Sequence, residues 1–389
     1  MNSDVVIVGG GVMGCATAYH LLRLDAGLAV TVVERDSTYR HASTMLSDGN
    51  VRVQFNLPEN IAMSQFAFEV LGTFADDMAV GDSRPDPGAR HQGNLFLVDE
   101  AGLDAAHEGL ARQREAGCEV AWLSAAEIAE RFPPYRAEGI VGGTLGRLDG
   151  SVDPSAVLLG YRRKAAAMGA SFVEGDVRRL VAARGRIAGV DLASGERLSA
   201  PVVVNGAGAW AAAIAETVGV DLPVEPVMRT VYVVETATGP GSNLPSVFLP
   251  GGLYAIPEHD GTFVMAWSLP DDPVGYDFTF RRDAFYERLW PELVRVMPAF
   301  DELRVTGGWT GLYAVNTLDG NAILGEWPST PGFFLANGFS GHGFQQCHAV
   351  GRYLAELILE APVSLDLSRF GPQRILDEVP VHEHAGRII

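Results

Sequence analysis

Short apolar runs and helical patterns alternate at the start of the chain. Residues 5–8 and 29–33 are almost continuously apolar, which is typical of strands buried on both faces of a parallel sheet. Residues 12–24 between them have helical spacing, so the segment predicts a βαβ unit. Similar runs at 200–205 and 333–336 predict two further strands of this kind.

A four-residue period begins after a predicted helix start. Asn56 and Pro58 mark that start, and Ala62, Phe66 and Val70 then recur every four residues. This spacing predicts a helix that buries one face. Comparable patterns predict further helices at residues 102–115, 125–131, 154–168, 281–297 and 343–359.

Alternation of apolar and polar positions replaces the helical pattern in two regions. Residues 177–200 turn at Gly185, Gly189 and Gly195, which predicts a small β-meander. Residues 224–267 contain strand-like segments separated by turns and predict a larger antiparallel sheet. The expected fold class is therefore α/β, with one Rossmann-like domain and one antiparallel-sheet α+β domain.

The segment 81–90 is rich in Gly, Pro and charge and marks a domain boundary. Two domains also suit a chain of 389 residues. Buried-strand patterns occur at both chain ends and in the middle, so the first domain is expected to be discontinuous. The expected bounds are 1–85, 140–222 and 323–389 for the Rossmann-like domain, and 86–139 and 223–322 for the antiparallel-sheet domain.

Charge and composition restrict the possible partners. Lys and Arg total 29 against 48 Asp and Glu, a net charge of −19, and so acidic a surface repels nucleic acid. No apolar run reaches the ~20 residues of a membrane helix, and the early first strand argues against a cleavable leader. The three cysteines cannot build a disulfide framework, and no cluster has metal-ligand spacing. We expect a cytoplasmic protein without a metal site.

A glycine fingerprint follows the first strand. Gly9, Gly11 and Gly14 have the spacing G-x-G-x-x-G and open the first helix. Such glycines permit a tight turn, the close approach of a pyrophosphate, and close packing of the helix on the strand. Glu34 ends the second strand, where an acidic side chain can accept hydrogen bonds from a ribose. The motif predicts a dinucleotide site and does not distinguish NAD from FAD.

A second glycine-rich loop, Gly338–Gly343, again leads from a strand into a helix. A second helix N-terminus directed at the same ligand would stabilise the negative charge of a reduced flavin. The loop therefore favours FAD. His342 in this loop is either a local hydrogen-bonding residue or a residue at the flavin edge, and the sequence leaves both interpretations open.

Four segments in this order resemble the D-amino-acid oxidase superfamily of FAD enzymes, in the branch of sarcosine oxidase, dimethylglycine dehydrogenase and glycine oxidase. They are VVIVGGGVMGCATAYHL with VVERD, GSVDPSAVL, APVVVNGAGAW and ANGFSGHGFQQCHAVG. The resemblance covers nearly the whole chain and implies a two-domain flavoprotein. Residues 47–64 look like a subgroup that includes a mitochondrial FAD-containing assembly factor for respiratory complex I.

The resemblance also implies which residues contact FAD. Some members attach the flavin covalently through a Cys or a His, and the matching positions here are Leu312 and Leu46. Hydrocarbon side chains cannot form such bonds, so non-covalent FAD is expected. The implied cofactor contacts are Gly9, Gly11, Val12, Met13, Gly14, Glu34, Arg35, Ser43, Thr44, Met45, Val177, Gly206, Ala207, Gly208, Trp210, Gly311, Leu312, Gly338, Ser340, Gly341, His342, Gly343, Phe344 and Gln345.

For the substrate, the resemblance implies a pocket between the flavin and the antiparallel sheet. The basic pair that binds the carboxylate in monomeric sarcosine oxidases matches Phe55 and Gln345 here, so sarcosine itself is not expected. Arg52 is either a replacement carboxylate anchor or a structural arginine near the flavin. The residues expected to contact substrate are Arg52, His342, Gln345, Tyr254, Met265, Trp267 and Tyr313.

The reaction implied by this resemblance is hydride transfer from a carbon next to nitrogen to the flavin, which gives an imine. The substrate would be a small secondary or primary amine or an amino acid. Met265 aligns with a lysine that promotes the reaction with O2 in sarcosine oxidases, so a dehydrogenase that uses a quinone or an electron-transfer protein is favoured over an oxidase that uses O2. Two alternatives remain open: an FAD-dependent 2-hydroxy-acid dehydrogenase, and an FAD-bound assembly protein without catalysis.

Overall fold

The structure is a computed structural model, and it describes residues 2–237, 244–258 and 261–383. Its strands in this part of the chain, in order, are β1 Val5–Val8, β2 Val30–Glu34, β3 Asn50–Val51, β4 Asn94–Asp99, β5 Val120–Ser124, β6 Ile140–Gly146, β7 Gly150–Ser151, β8 Ser171–Glu174, β9 Val177–Ala183, β10 Arg186–Leu192, β11 Arg197–Ser199, β12 Val202–Asn205, β13 Val224–Thr236, β14 Ser246–Phe248, β15 Tyr254–Pro257, β16 Thr262–Ala266, β17 Leu303–Asn316, β18 Ile323–Glu326 and β19 Phe333–Asn337.

Seven α-helices of the same residues lie in segments predicted to be helical, whereas those at 211–216 and 373–376 were not predicted. The α-helices in this part of the chain are α1 Val12–Leu24, α2 Pro58–Asp77, α3 Leu103–Glu115, α4 Ala125–Arg131, α5 Pro154–Ala167, α6 Ala211–Glu216, α7 Trp290–Val296, α8 Gly343–Ile358 and α9 Gln373–Leu376. The predicted helix at 281–297 is shorter, because a π-helical turn at Phe285–Leu289 precedes α7. None of the helices described here is long and apolar enough to cross a membrane.

The first domain is built on a six-stranded sheet in the order β18-β19-β12-β1-β2-β8. All neighbouring strands are parallel except β18, which is antiparallel to β19. Side chains alternate along β1: Val5 and Ile7 pack against α1, α5 and α8, whereas Val6 and Val8 pack against the β9–β11 meander. Both faces of the sheet are therefore covered, as its continuous apolar strands predicted.

The second domain is built on an eight-stranded sheet in the order β17-β13-β16-β15-β14-β4-β6-β5. Its pairs are antiparallel apart from β14 and β4. One face packs against α4 and α7 in a core that contains Phe263 and Met265. The opposite face carries an apolar cluster with Phe96, Tyr254 and Ala266 and is directed toward the first domain.

The structure corrects one predicted domain boundary. Residues 140–146 were expected in the Rossmann-like domain, but they form β6, between β4 and β5 of the eight-stranded sheet. The first domain therefore resumes only after residue 146. The last six residues of its predicted third segment, 384–389, lie outside the described residues.

Candidate functional site

A cavity of about 980 Å³ lies between the two large sheets. Its wall combines the loop after β1, the end of β2, the segment 41–48, and the exposed face of β13, β15, β16 and β17. The cavity has the size of a site for a large ligand and a smaller second one.

The glycine loop after β1 forms one end of this wall. Gly9 has φ of 98°, and a Cβ there would collide with the carbonyl oxygen of Gly206; a Cβ on Gly14 would collide with the carbonyl oxygen of Gly9. The α1 N-terminus has no side-chain cap and no acidic residue in its first turn. Gly11, Val12 and Met13 line the cavity. The Val12 amide donates to the Thr44 hydroxyl, so the remaining free amides of the first helical turn are available to an anion.

The helix α8 offers a second N-terminus to the same cavity. It also has no side-chain cap and no acidic residue in its first turn, and Gly343 and Phe344 line the wall. Two uncapped helix N-termini in one cavity suit a ligand with two separate anionic parts. The pyrophosphate and the reduced ring of a flavin dinucleotide are such parts, so the residues present fit FAD.

Glu34 and Arg35 lie where a dinucleotide would place its ribose. The Glu34 carboxylate accepts hydrogen bonds from the backbone of Gly10 at 2.7 Å and of Asp36 at 3.0 Å, and Glu34 also lines the cavity. The guanidinium of Arg35 lies 3.4 Å from the centre of the Trp210 ring. This cation–π contact joins the β2 end to the loop after β12.

Two hydroxyls connect the segment 43–44 to its surroundings. The Ser43 hydroxyl donates to the carbonyl of Leu312 at 2.8 Å, and the Thr44 hydroxyl accepts from the backbone of Val12 at 3.2 Å. Most of the predicted cofactor contacts lie on the cavity wall. The predicted cofactor residues on the wall are Gly9, Gly11, Val12, Met13, Glu34, Arg35, Ser43, Thr44, Val177, Gly206, Ala207, Gly208, Trp210, Gly311, Leu312, Ser340, Gly341, Gly343 and Phe344.

Five predicted cofactor contacts do not lie on this wall. Gly14 acts through helix–strand packing, and Gly338, with φ of 70°, packs against Asn316 and Ile323. Met45 points outward and is 38 % exposed, and Leu46 takes its place on the wall. The other two, His342 and Gln345, are buried behind the cavity.

The eight-stranded sheet supplies a mixed apolar and polar end of the cavity. Cross-strand pairing puts Val231, Ala266 and Tyr254 in one row, and all three line the cavity. The Tyr254 hydroxyl donates to the Asp48 carboxylate. Tyr313 packs against Gly341 of the second glycine loop, where a Cβ would meet its ring. Burial raises the pKa of Tyr313 to about 12, so this phenol is neutral at physiological pH.

Arg229 is a cavity residue that the sequence analysis missed. It lies two positions from Val231 on β13, and its guanidinium lies 5.2 Å from the centre of the Tyr313 ring. Its Nη1 donates to Asp272 at 2.6 Å and to the Met228 carbonyl at 3.2 Å, while its buried Nε has no partner in the described part of the chain. An arginine within an otherwise apolar alternating strand was the available signal.

Arg52, one of the two expected roles of which was to bind a substrate carboxylate, does not lie on the cavity wall. It is 5 % exposed. Its guanidinium lies 4.7 Å from the Phe55 ring centre and 5.4 Å from that of Phe96, and its Nη2 lies 3.2 Å from Nε2 of His342. A guanidinium only donates, so this His342 nitrogen accepts. Burial and Arg52 lower the pKa of His342 to about 3, so the ring is neutral.

The side chain of Gln345 also forms hydrogen bonds within the protein and does not face the cavity. Its Oε1 accepts from the backbone N–H of Arg52 at 2.8 Å, and its Nε2 donates to the Ser64 hydroxyl at 3.0 Å. Gln345 therefore fixes the backbone at Arg52 between α2 and α8. None of Arg52, His342 and Gln345 lines the cavity, because all three form a buried network behind the wall. Their expected contacts with substrate stay predictions.

Two further expected wall residues lie elsewhere. Met265 is fully buried in the core on the opposite face of the sheet, next to Phe263. The neighbouring Ala266 lines the cavity instead, so the expected position was one residue out of register. Trp267 packs against the same opposite core and donates from its indole to the Gly251 carbonyl at 2.7 Å.

Comparison with known proteins agrees with this geometry. The model of the FAD dependent oxidoreductase family matches residues 4–357. FAD-dependent oxidoreductase domain-containing protein 1 of Bos taurus is 36 % identical over 424 residues, covering 98 % of this chain and 87 % of that protein. Glycine oxidase of Bacillus licheniformis is 25 % identical over 369 residues, with 93 % and 95 % covered. The structure of L-proline dehydrogenase from P. horikoshii superposes with a TM-score of 0.85 at 24 % identity, covering 97 % of this chain and 98 % of that one.

The family match spans most of the chain, and the two-domain architecture is that of these flavoproteins. The two helix N-termini without an N-cap side chain and the Glu34 carboxylate on the cavity wall fit a flavin dinucleotide independently of this match. The chain therefore belongs to the D-amino-acid oxidase family of FAD-dependent oxidoreductases.

Proposed function

We propose that this protein oxidises the C–N bond of a small amino acid or related amine. The observation that carries the proposal is the Arg229 guanidinium on the cavity wall, whose buried Nε has no partner in the described part of the chain. A substrate carboxylate would satisfy this donor. The relative named glycine oxidase, which matches 93 % of this chain, supports an amino-acid substrate.

Each side chain at this end of the cavity has a role in such a reaction. Asp272 holds one edge of the Arg229 guanidinium and so fixes the direction of the free edge. The apolar row of Val231 and Ala266 excludes water next to the neutral phenols of Tyr254 and Tyr313. Bound FAD would supply the hydride acceptor, and the protein would hold the substrate C–H bond against it.

Non-covalent FAD is part of the proposal. Leu46 and Leu312 line the cavity and have no atom that can bond to a flavin. His41 also lines the cavity, and a covalent bond between His41 and the flavin would contradict the proposal of non-covalent FAD. After acid precipitation of the purified yellow protein, we expect the colour in the supernatant; colour that stays in the pellet would indicate a covalent bond.

We also propose that the reduced enzyme reacts slowly with O2. Lys164 is the chain's one lysine; it donates to the Ala79 carbonyl and does not line the cavity. Arg229 is a cation on the substrate side, and Asp272 partly compensates its charge. Little positive charge is therefore available to stabilise superoxide. Stopped-flow mixing of photoreduced enzyme with aerated buffer tests this, and Ala266→Lys should accelerate reoxidation.

The central experiment is an anaerobic titration of the holoenzyme with amino acids, amines and 2-hydroxy acids. We expect amino acids to bleach the oxidised-flavin absorbance. Arg229→Met should raise the required concentration about tenfold or more, because a charge-assisted hydrogen bond is worth ~1.5–3 kcal/mol. Arg304→Met, which alters an exposed ion pair on the neighbouring strand β17, is the matched control and should have no effect.

Two results of the same titration would favour other functions. Bleaching by 2-hydroxy acids alone would indicate a hydroxy-acid dehydrogenase. A flavin that no compound of the panel bleaches would support a non-catalytic role for the bound FAD.

A further inference from the structure

Carboxylate and guanidinium groups on the cavity wall fall into two sets. One set surrounds the predicted adenosine end, after β2 and between β8 and β9. The other set lies against the eight-stranded sheet and, among the described residues, consists of one carboxylate and one guanidinium. The first set is Glu34, Arg35, Asp36, Asp176 and Arg178, and the second is Asp48 and Arg229.

The position of Asp48 is fixed by contacts with that sheet. The Leu46 carbonyl accepts from the Trp309 indole at 2.8 Å, which holds the preceding residues on β17. One carboxylate oxygen of Asp48 accepts from the Tyr254 hydroxyl, and the other accepts from the backbone N–H of Asn50 at 3.1 Å. Each oxygen therefore keeps a lone pair for another donor, and Asp48 is partly exposed on the cavity wall.

Tyr254 and Tyr313 connect Asp48 with Arg229. The pKa of each phenol is raised by burial first and then by the Asp48 charge, and Arg229 opposes both shifts. The Tyr254 hydroxyl donates to Asp48, and both tyrosines line the same cavity as the two charged groups. The ring of Tyr313 also contacts the Arg229 guanidinium face. A carboxylate and a guanidinium thus flank the same pair of phenols at one end of the cavity.

We propose that Asp48 binds the ammonium group of an α-amino acid whose carboxylate binds Arg229. This assignment rests on the proposed function and narrows it to zwitterionic substrates. An ammonium group donates up to three hydrogen bonds and carries the charge that complements Asp48. Oxidation to the C=N bond requires the nitrogen to lose one proton as well as the carbon its hydride, and the Asp48 carboxylate would accept that proton. A 2-hydroxy acid lacks that charge, and an amine without a carboxylate leaves the Arg229 donor unsatisfied. Asp48 is therefore the residue that selects nitrogen over oxygen in the substrate.

The test measures ligand binding without turnover. 2-Aminoisobutyrate has no α-hydrogen, so α-C–H oxidation is impossible, and 2-hydroxyisobutyrate differs from it by one hydroxyl in place of the ammonium. Their affinities for the oxidised holoenzyme are read from the perturbation of the flavin spectrum. We expect the amino ligand to bind about tenfold more tightly or better. Equal affinities in the unaltered protein would overturn the proposal.

Variants then assign the preference to Asp48. Asp48→Asn should weaken 2-aminoisobutyrate about tenfold while leaving 2-hydroxyisobutyrate nearly unchanged. Arg229→Met should weaken both ligands. Tyr254→Phe removes the donor to Asp48 with a smaller change of shape and should reduce the discrimination in part. Asp301→Asn, an exposed residue of the same domain, is the control and should alter neither affinity.

The outcomes separate this assignment from the proposed function. If amino acids bleach the flavin but discrimination survives in Asp48→Asn, the assignment fails and the function stands. If neither an amino acid nor an amine bleaches the flavin, the function fails whatever the binding data show. If the pocket is too narrow for the two methyl groups, glycine and glycolate are compared in the same way under anaerobic conditions. If neither 2-aminoisobutyrate nor glycine binds, the assignment is overturned.

Discussion

At the scale of the residue, Glu34 serves the fold and the ligand with one carboxylate. One oxygen accepts from the Gly10 backbone and the other from the Asp36 backbone. Each oxygen has a second lone pair, and the side chain lines the cavity. The carboxylate therefore shapes the glycine loop and also presents an acceptor to a ribose.

Glu34→Gln should weaken FAD binding about tenfold. The amide replaces one acceptor with an NH2 donor, which then faces a backbone N–H, and the lost charged hydrogen bond is worth ~1–2 kcal/mol. The measurement is a fluorescence titration of the apoprotein with FAD. Glu174→Gln is the matched control, because Glu174 is the exposed register partner of Glu34 on β8. Equal FAD affinity in the two variants would show that the Glu34 charge does not reach the cofactor.

Sequence alone can place a residue on the cavity wall where a motif fixes both the strand and the spacing. Glu34 met both conditions. Arg229 and Met265 did not, because alternation along a strand shows which side chains share a face but not which face meets the ligand. For Arg52, no local pattern reveals that two aromatic rings and His342 enclose its guanidinium.

At the scale of the element, the turn from β1 into α1 has no room for a side chain at Gly9 in the loop or at Gly14 in the first turn of α1. A Cβ on Gly14 would collide with the Gly9 carbonyl and would also approach Ile7. Gly9 itself has a left-handed backbone that favours glycine. The turn thus depends on close contact between α1 and the strand before it.

Gly14→Ala should abolish FAD retention and lower the melting temperature. The methyl group must push α1 away from β1, which displaces the amides at the helix N-terminus. Gly72→Ala in α2 is the opposite case, because nothing lies within 4 Å of its Cβ; it should stabilise the protein by ~0.5–1 kcal/mol. Thermal unfolding and the FAD content of the purified variants measure both effects. Retained FAD in Gly14→Ala would contradict this account of the loop.

Whole elements were predictable when their periodicity was long. The helices α1, α2, α3, α5 and α8 satisfy this condition. The strand β6, with sequence IVGGTLG, was not recognised, because glycines usually weaken strands. In the fold, Gly142 is required where the Trp122 ring packs on the strand, and Gly143 where the Phe96 backbone passes. These glycines are required by tertiary contacts, which the local sequence does not show. Because β6 was not predicted, the domain boundary was misplaced.

At the scale of the whole molecule, three buried histidines make the folded state less stable as the pH falls. Burial lowers the pKa of His20, His342 and His348 to about 3. For His20, the nearby Arg23 and Arg352 add to the shift. In the unfolded chain these rings recover the ordinary pKa of about 6.5. The folded state therefore excludes protons that the unfolded state accepts.

The sign of the effect follows from proton linkage. Between pH 6.5 and pH 3 the unfolded chain binds more protons on these rings, so the free energy of unfolding falls as the pH falls. Two carboxyls act in the opposite direction. Burial raises the pKa of Asp149 to about 6, which favours the folded state as the pH falls from 6 toward 4, and burial also raises the pKa of the half-buried Asp272. Three strongly shifted histidines against these two carboxyls leave a net loss of stability.

We therefore expect the free energy of unfolding to drop between pH 7 and pH 5 by an amount on the order of 1 kcal/mol per histidine per pH unit below 6.5. Urea unfolding at a series of pH values measures this slope. His20→Leu removes one of the three titrations and should reduce the slope, whatever its effect on stability at pH 7. His107→Gln alters an exposed histidine and should leave the slope unchanged. Identical slopes in His20→Leu and the unaltered protein would mean that His20 gains access to water before the molecule unfolds.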